Sequence, residues 1–451
     1  MSTVPSAAGA TPPTRVRYVV LVLLALAPMS AYLTRGMGAF TTTLMEEFHV
    51  SSEVMGGVLA GFALGYFFQV PGGMLANAFG TRTVLSLIGL TWSVCALWGS
   101  KAQTPDELYW SRVGLGLAQG GLVPCCAKAV ADWFPLARRG LVSAVLTGSM
   151  QLGGILALGL SASLLEVASW RLLVQCYAVF GIVWAVVFLL WFRNRPEEHG
   201  SVNAAERELI AAGRAPITAG TANEGATDWK RLTLAICLRG SLWAYFLQAL
   251  FRAYGYEFFA SWCPAYLEKA HGVGKTRAGQ LGAWPIAAFG AGSLLGGLVV
   301  DALLTRTRNR WLSRCGSAIL GLVVCAGCFA LATLIEDVIL VTVVLSVGCL
   351  FAALSGPATW AAGIDIGGRH TAVIFGVMNT IGNIGPYLSN QHVGSLFEHI
   401  KRSGASWDLV LWLFVGINAA AAVLWVFVDP RHSIEESTGA REERDSENHP
   451  H

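Results

Sequence analysis

The chain has 451 residues, enough for two or three soluble domains, yet only 13% are charged, about half of the roughly 25% usual for soluble proteins. With 54% hydrophobic residues and 51 glycines besides, it lacks the polar surface to cover itself in water and belongs in a bilayer. A net charge of +3 without a long basic run excludes nucleic acid as a partner.

A bilayer-spanning helix needs about 20 mostly apolar residues. That length predicts spans over residues 18–44, 54–77, 82–100, 107–133, 140–165 and 170–192, then 238–267, 278–304, 313–335, 338–364, 370–397 and 406–428. The expected architecture is therefore an all-α membrane protein of twelve transmembrane helices in two six-helix halves, 18–192 and 238–429. Residues 1–17 form a polar N-terminal segment, 193–237 a polar linker with a short surface helix around Ala204–Ala212, and 430–451 a polar tail. The apolar run after Arg17 is too long for a removable signal and reads as a retained first span.

Orientation follows from lysine and arginine, which concentrate on the cytoplasmic side. With the N-terminus inside, 20 of the 31 fall in inside segments and seven outside, so both termini and the linker face the cytoplasm of a plasma (inner) membrane. The ten cysteines are scattered through apolar stretches; Cys325 and Cys328 form a CxxC without a second pair, and read as buried small residues. No metal-ligand cluster and no nucleophile–base pair stands out, so neither an enzyme, a metal nor a cofactor is expected.

Gly72-Gly73 and Thr81-Arg82 between spans two and three recur as Gly296-Gly297 and Thr305-Arg306 between spans eight and nine, an offset of 224 residues. Two six-span halves in parallel orientation form a recognised transporter plan, with the binding site between them near the midplane.

Three arginines lie inside spans, Arg35, Arg112 and Arg252, against one carboxylate, Glu257. Such residues face an interior cavity, and an excess of guanidinium there is the chemistry of an anion site. Tyr32 and Arg35 are one turn apart, as are Arg252 and Tyr256; Arg112 and Gln119, seven apart, share a face. Glu257 has two open readings, a titrating coupling group or the permanent counter-ion of an arginine on another helix. Gln151, Ser355, Trp360, Asn379 and Asn383 are weaker candidates to bond substrate or to tie helices together, and His392 lies in the outer part of span eleven. Asp365 is expected to pin the inner end of span ten.

Twelve spans, the repeated loop motif and Arg112-x-x-x-Gly116 resemble the major facilitator superfamily. Within it, Tyr32-Leu-Thr-Arg35, Gln69-Val-Pro71-Gly-Gly73, Trp133-Phe-Pro135 with Arg138-Arg139, Arg195-Pro196-Glu197-Glu198-His199, Pro264-Ala-Tyr266-Leu267 and Asn379-Thr-Ile-Gly382-Asn383 resemble the anion:cation symporter family of sugar-acid transporters, sialin and vesicular glutamate transporters. The resemblance implies that Arg35 is a principal substrate ligand and that Arg252, twelve residues before Pro264, binds or gates substrate. It also implies a loop latch, with Asn77 and Ala78 where an Asp-Arg pair is usual, Arg82 retained, and Asp301 and Arg306 in the second half. The usual proton carriers are replaced: Thr34 stands for an aspartate and Gln119 for a glutamate.

Residues and resemblance together predict a monomeric secondary active transporter of a small organic anion, a carboxylate or sugar acid, working by alternating access with a proton or other cation as co-substrate. An anion antiporter or uniporter, including one for phosphate esters, and a transporter-like sensor stand as alternatives.

Overall fold

The computed structural model describes residues 12–67, 75, 78–211, 229–368, 371–432 and 434. Gly72, Gly73, Asn77 and Arg369 lie outside the described residues. The helices before the linker are α1 Val16–Arg35, α2 Thr41–Glu47, α3 Ser52–Tyr66, α4 Thr81–Ser100, α5 Pro105–Gln119, α6 Leu122–Trp133, α7 Leu136–Ile155 and α8 Trp170–Trp191. After α9, Ala204–Ala211, come α10 Trp229–Leu238, α11 Gly240–Glu257, α12 Cys263–His271, α13 Lys275–Thr307, α14 Ser317–Ala332, α15 Val338–Ala353, α16 Ser355–Gly367, α17 Thr371–Gly382, α18 Ile384–Ser403 and α19 Asp408–Val426.

Among the described residues nine helical runs are long and apolar enough to cross a bilayer. The other three expected spans contain α3, which borders residues outside the described set, and α11–α12 and α17–α18, which are each interrupted; all three line the cavity described below. The outer faces of the nine carry large exposed apolar side chains such as Val94, Leu190, Leu298, Leu320 and Val423, which suit lipid and not water. Where α3, α5, α8 and α15 begin, Ser51, Thr104, Ser169 and Asp337 accept the hydrogen bond of the N–H three residues on (2.8–3.3 Å). These four starts share the membrane side away from the start of α1.

Two departures from the expected spans matter for the site. The first, drawn as one run over 18–44, is broken: α1 stops at Arg35 because Gly36 turns extended (φ −71°, ψ 110°), and helix resumes only at Thr41. An apolar run keeps the chain in lipid but does not by itself demand continuous helix. In span seven the α-helix gives way after Glu257 to a π-helical turn, Phe258–Trp262. Pro264 has no N–H for the Ala260 carbonyl, so the ladder slips there. The carbonyls of that turn are used elsewhere: Ser261 O accepts from Thr41 Oγ1 at 3.3 Å.

The linker helix is docked, not loosely lying on the surface. Glu206 on α9 is fully buried and accepts hydrogen bonds from the backbone N–H groups of Val16 and Arg17 (3.2 Å each) and from Arg17 Nη1 (3.0 Å). It thereby supplies the N-terminal cap that Arg15 does not, a negative charge at the positive end of α1.

Helices α1–α8 pack mainly with one another, as do α11–α19. The two groups meet along α3 against α18, and along α13 against α7 and its π-helical continuation Leu156–Leu160. Close approach at the first seam requires glycine: a Cβ on Gly56 would strike the Asn390 carbonyl, and one on Gly394 the Ser52 carbonyl. At the same end Lys275 pairs with Glu46, and Gln280 Nε2 donates to Ser163 Oγ at 2.9 Å. Toward the opposite end, Trp360 on α16 is 55% exposed and Asn379 on α17 is exposed. The contacts that join the two groups cluster on one side of the membrane and seal the bundle there.

Candidate functional site

Beneath the sealed end lies a cavity of about 40 Å³, lined from the first group of helices by Tyr32, Arg35, Phe62 and Arg112 and from the second by Tyr256, Glu257, Ser261 and Asn390. By that volume it holds two or three waters.

Arg35 is the last residue of α1, and the break at Gly36 frees its side chain to turn inward. Three aromatic rings surround its guanidinium, Phe62 at 4.6 Å, Tyr32 at 4.9 Å and Tyr66 at 5.7 Å. The ring faces hold the cation without consuming its N–H donors. Arg112 sits above the same Phe62 ring at 5.5 Å, and its Nη1 donates to the Arg35 carbonyl at 3.2 Å. That carbonyl is an orphan of the helix end, so Arg112 caps α1 as it enters the site. Its Nε is buried without a partner. Neither arginine forms an ion pair with a carboxylate among the described residues.

Across the cavity, Glu257 Oε1 accepts from Ser261 Oγ at 2.6 Å and from Asn390 Nδ2 at 3.0 Å. Asn390 Oδ1 in turn accepts from Trp262 Nε1 at 2.8 Å. An indole nitrogen only donates, so this bond fixes the amide with its NH₂ toward Glu257. Glu257 and Arg252 make no pair, as their separation on one helix predicts, and no arginine on another helix serves as contact counter-ion among the described residues.

The two positions where proton carriers are usual are neighbours. Gln119 Nε2 donates to Thr34 Oγ1 at 3.2 Å and to the Ala31 carbonyl at 3.1 Å, while Thr34 Oγ1 turns to the carbonyls of Ser30 and Ala31. Both side chains are buried, and neither can ionise.

The structure thus brings together Tyr32, Arg35, Arg112, Tyr256 and Glu257, with Gln119 behind Arg35 on α5. Other sequence candidates stand apart from the cavity lining. Arg252 is one turn from Tyr256, with its Nε buried and unpartnered. Gln151 lies against Gly290, Ser355 Oγ bonds the Ala352 carbonyl of its own helical run (2.6 Å), and Trp360 packs on Phe375 with the rings tilted by 30° (4.5 Å between centroids). Asn383 donates to the Asn379 carbonyl, and His392 meets the Tyr254 hydroxyl at 3.3 Å. Of the loop residues, Arg82 ties the start of α4 to α8 through the Leu189 carbonyl (2.6 Å), while Asp301 and Arg306 are exposed. Asp365 pairs with Arg314 at 3.1 Å and so does pin its end of α16.

Sequence reasoning missed Phe62, Tyr66, Ser261 and Asn390. An aromatic in an apolar helix carries no mark of its role, but Asn390 did: it lies seven residues after Asn383, on the same helical face.

A helical bundle of two groups around a buried, cation-lined cavity is the form of a multi-pass membrane transporter. The chain belongs to the Major Facilitator Superfamily, whose profile matches residues 23–389. It is similar to the "Probable sulfoacetate transporter SauU" of Cupriavidus necator (26% identity, 93% of this chain and 96% of the relative). It is also similar to the "Probable galactarate/D-glucarate transporter GudP" of Bacillus subtilis (27%, 91% and 91%) and to the "Probable L-galactonate transporter" of Escherichia coli (25%, 92% and 91%). Among solved structures it superposes on a bacterial homolog of the human lysosomal transporter Spinster, inward-facing and unoccupied, with a TM-score of 0.70 at 18% identity, covering 97% of this chain and 99% of that one. At that identity the likeness speaks for the fold alone.

Proposed function

We propose that the protein is a secondary transporter of a small organic anion bearing at least one carboxylate, gripped by Arg35 and Arg112. The observation that carries this reading is two guanidiniums facing one buried cavity with, among the described residues, a single protein acceptor between them, the Arg35 carbonyl. Each guanidinium offers five N–H donors in a fixed fork. Donors left open at that depth are costly unless an anion completes them. Sulfoacetate, galactarate, glucarate and galactonate, named for the relatives, all carry a carboxylate. Tyr32 and Tyr256 supply hydroxyls for the remainder of such a molecule.

Room for a few waters is too little for a six-carbon sugar acid, so loading requires the two six-helix halves, 18–192 and 238–429, to part. Alternating access by rocking about the cavity follows, with the sealed end outside and both termini in the cytoplasm, the orientation that Lys and Arg favour. Arg252 lies one turn from the cavity on the path to the end opposite the seal and serves passage, not the bound state.

Counterflow in proteoliposomes tests the reading. Vesicles loaded with unlabelled galactarate, sulfoacetate or galactonate should accumulate the same labelled anion transiently, and Arg35→Ala vesicles should not. Absence of counterflow with all three anions would refute the proposal. Counterflow of a phosphate ester in their place would move the assignment to the phosphate alternative.

A further inference from the structure

We propose that Glu257 carries the proton that lets this site accept a dianion: protonation of Oε2 changes an oxygen that repels the substrate's second acid group into one that donates a hydrogen bond to it. The inference rests on the anion-transport reading above and adds the valence of the substrate and the place of coupling.

The first argument is geometric. Oε1 is committed as an acceptor, because the Asn390 amide that faces it can only donate, and Trp262 prevents that amide from flipping. Ser261 donates to the same oxygen. Oε2 has no hydrogen-bond partner among the described residues, and Glu257 lines the cavity. Oε2 is therefore the atom that takes a proton without disturbing the bonds from Ser261 and Asn390, and its O–H is free to bond what the cavity holds.

The second argument is charge balance. The charged groups around the cavity are Arg35 from α1, Arg112 from α5 and Glu257 from α11. The other titratable groups nearby are the phenols of Tyr32, Tyr66 and Tyr256. On α18 Asn390 faces Glu257, and His392, two residues on, is engaged by Tyr254; α13 contributes Ile286 alone. With Glu257 ionised the empty cavity carries one net positive charge, which a monoanion cancels. A dianion leaves a net negative charge in a low-dielectric site, an arrangement costly enough to be avoided. One proton on Glu257 restores neutrality. A dianion and a proton should thus load together, while a monoanion loads without one.

This work is closed to Thr34 and Gln119, which bond each other and cannot ionise. Asn390 gives the proton a mechanical reach as well, since its backbone carbonyl is the atom against which Gly56 packs in the α3–α18 seam.

The test is equilibrium binding to the purified full chain, using galactarate as dianion and L-galactonate as monoanion, from about pH 5.5 to about pH 8, where both probes stay ionised. Galactarate should bind up to about tenfold more tightly for each unit the pH falls, the limit for one linked proton, wherever Glu257 is ionised in the free protein. Galactonate should show little slope. Glu257→Gln, a permanently neutral isostere, should make galactarate binding flat with pH. A wild-type slope in Glu257→Gln, or equal slopes for the two probes, would overturn the proposal while leaving anion transport intact; no binding of either probe together with no counterflow of galactarate, galactonate or sulfoacetate would sink the transport reading itself. If Glu257→Gln does not fold, Ser261→Ala carries the test. Removing one donor to Oε1 should move the galactarate slope to higher pH, and an unmoved slope counts against Glu257.

Discussion

Two buried polar clusters flank Arg35, and they differ in one property. On the side of α1 and α5, Thr34 and Gln119 form a neutral pair whose hydroxyl and amide N–H donors bond each other and backbone carbonyls. On the side of α11 and α18, Ser261, Asn390 and Trp262 hold a carboxylate by one oxygen and leave the other without a hydrogen-bond partner among the described residues. The first cluster behaves as packing; the second holds the carboxyl to which we assign the proton. Burial and hydrogen bonding alone do not make a functional group: what matters is an unfilled valence facing the space where substrate binds.

Removing the cation between the clusters should have the largest effect. Truncating one partner of a buried charged hydrogen bond costs about 2–5 kcal/mol, so Arg35→Ala should weaken galactarate binding by at least about 30-fold. Arg35→Lys should recover little, since an ammonium lacks the fork and stacks poorly on Phe62, Tyr32 and Tyr66. Binding calorimetry checks both, with thermal unfolding to confirm the fold. Arg252→Ala should cost less, about tenfold and chiefly in transport rate, because Arg252 lies outside the cavity lining. Equal losses would place Arg252 at the substrate in another conformation.

Much of this contrast was legible in the sequence. Arg35, Arg112 and Glu257 stand out because a charge in an apolar helix is expensive, and helical spacing puts Tyr32 beside Arg35 and Tyr256 beside Arg252. The Thr34 and Gln119 substitutions were visible too, but not that they touch. Periodicity assigns a residue to a face without saying which stretch of that face the neighbouring helices close over. Hence Arg252, Asn379 and Asn383 share the right helices yet miss the cavity, while Asn390, one heptad further, enters it. The break at Gly36 and the π-turn before Pro264, which aim Arg35 and free the carbonyls used at the seam, follow from backbone details that an apolar run conceals.

The neutral cluster can be made to resemble the charged one. Gln119→Glu introduces a carboxyl that must stay protonated to keep a hydrogen bond to the Ala31 carbonyl, so it adds a titrating group where none exists. In a Glu257→Gln background, whose galactarate binding should not respond to pH, Gln119→Glu should restore a slope of a few-fold per unit. A flat profile in the double variant would mean that a buried acid suffices only when one of its oxygens faces the cavity, which narrows the role to the geometry around Glu257.

The smallest effect should come from Thr34→Val, and it separates the clusters most cleanly. Valine keeps the shape and removes the hydroxyl, yet Gln119 Nε2 retains the Ala31 carbonyl, so no buried donor is stranded. The loss should be about 1 kcal/mol of stability, the net worth of one neutral hydrogen bond, seen as a modest fall in unfolding temperature. The pH slope of galactarate binding should not move, because the lost hydroxyl neither ionises nor faces the substrate. Ser261→Ala removes a hydroxyl of the same kind and should move that slope, because its bond ends on the one oxygen whose partner takes the proton. If Thr34→Val shifted the slope as far as Ser261→Ala does, the two clusters would be one coupled network through Arg35, and the asymmetry between them would be lost.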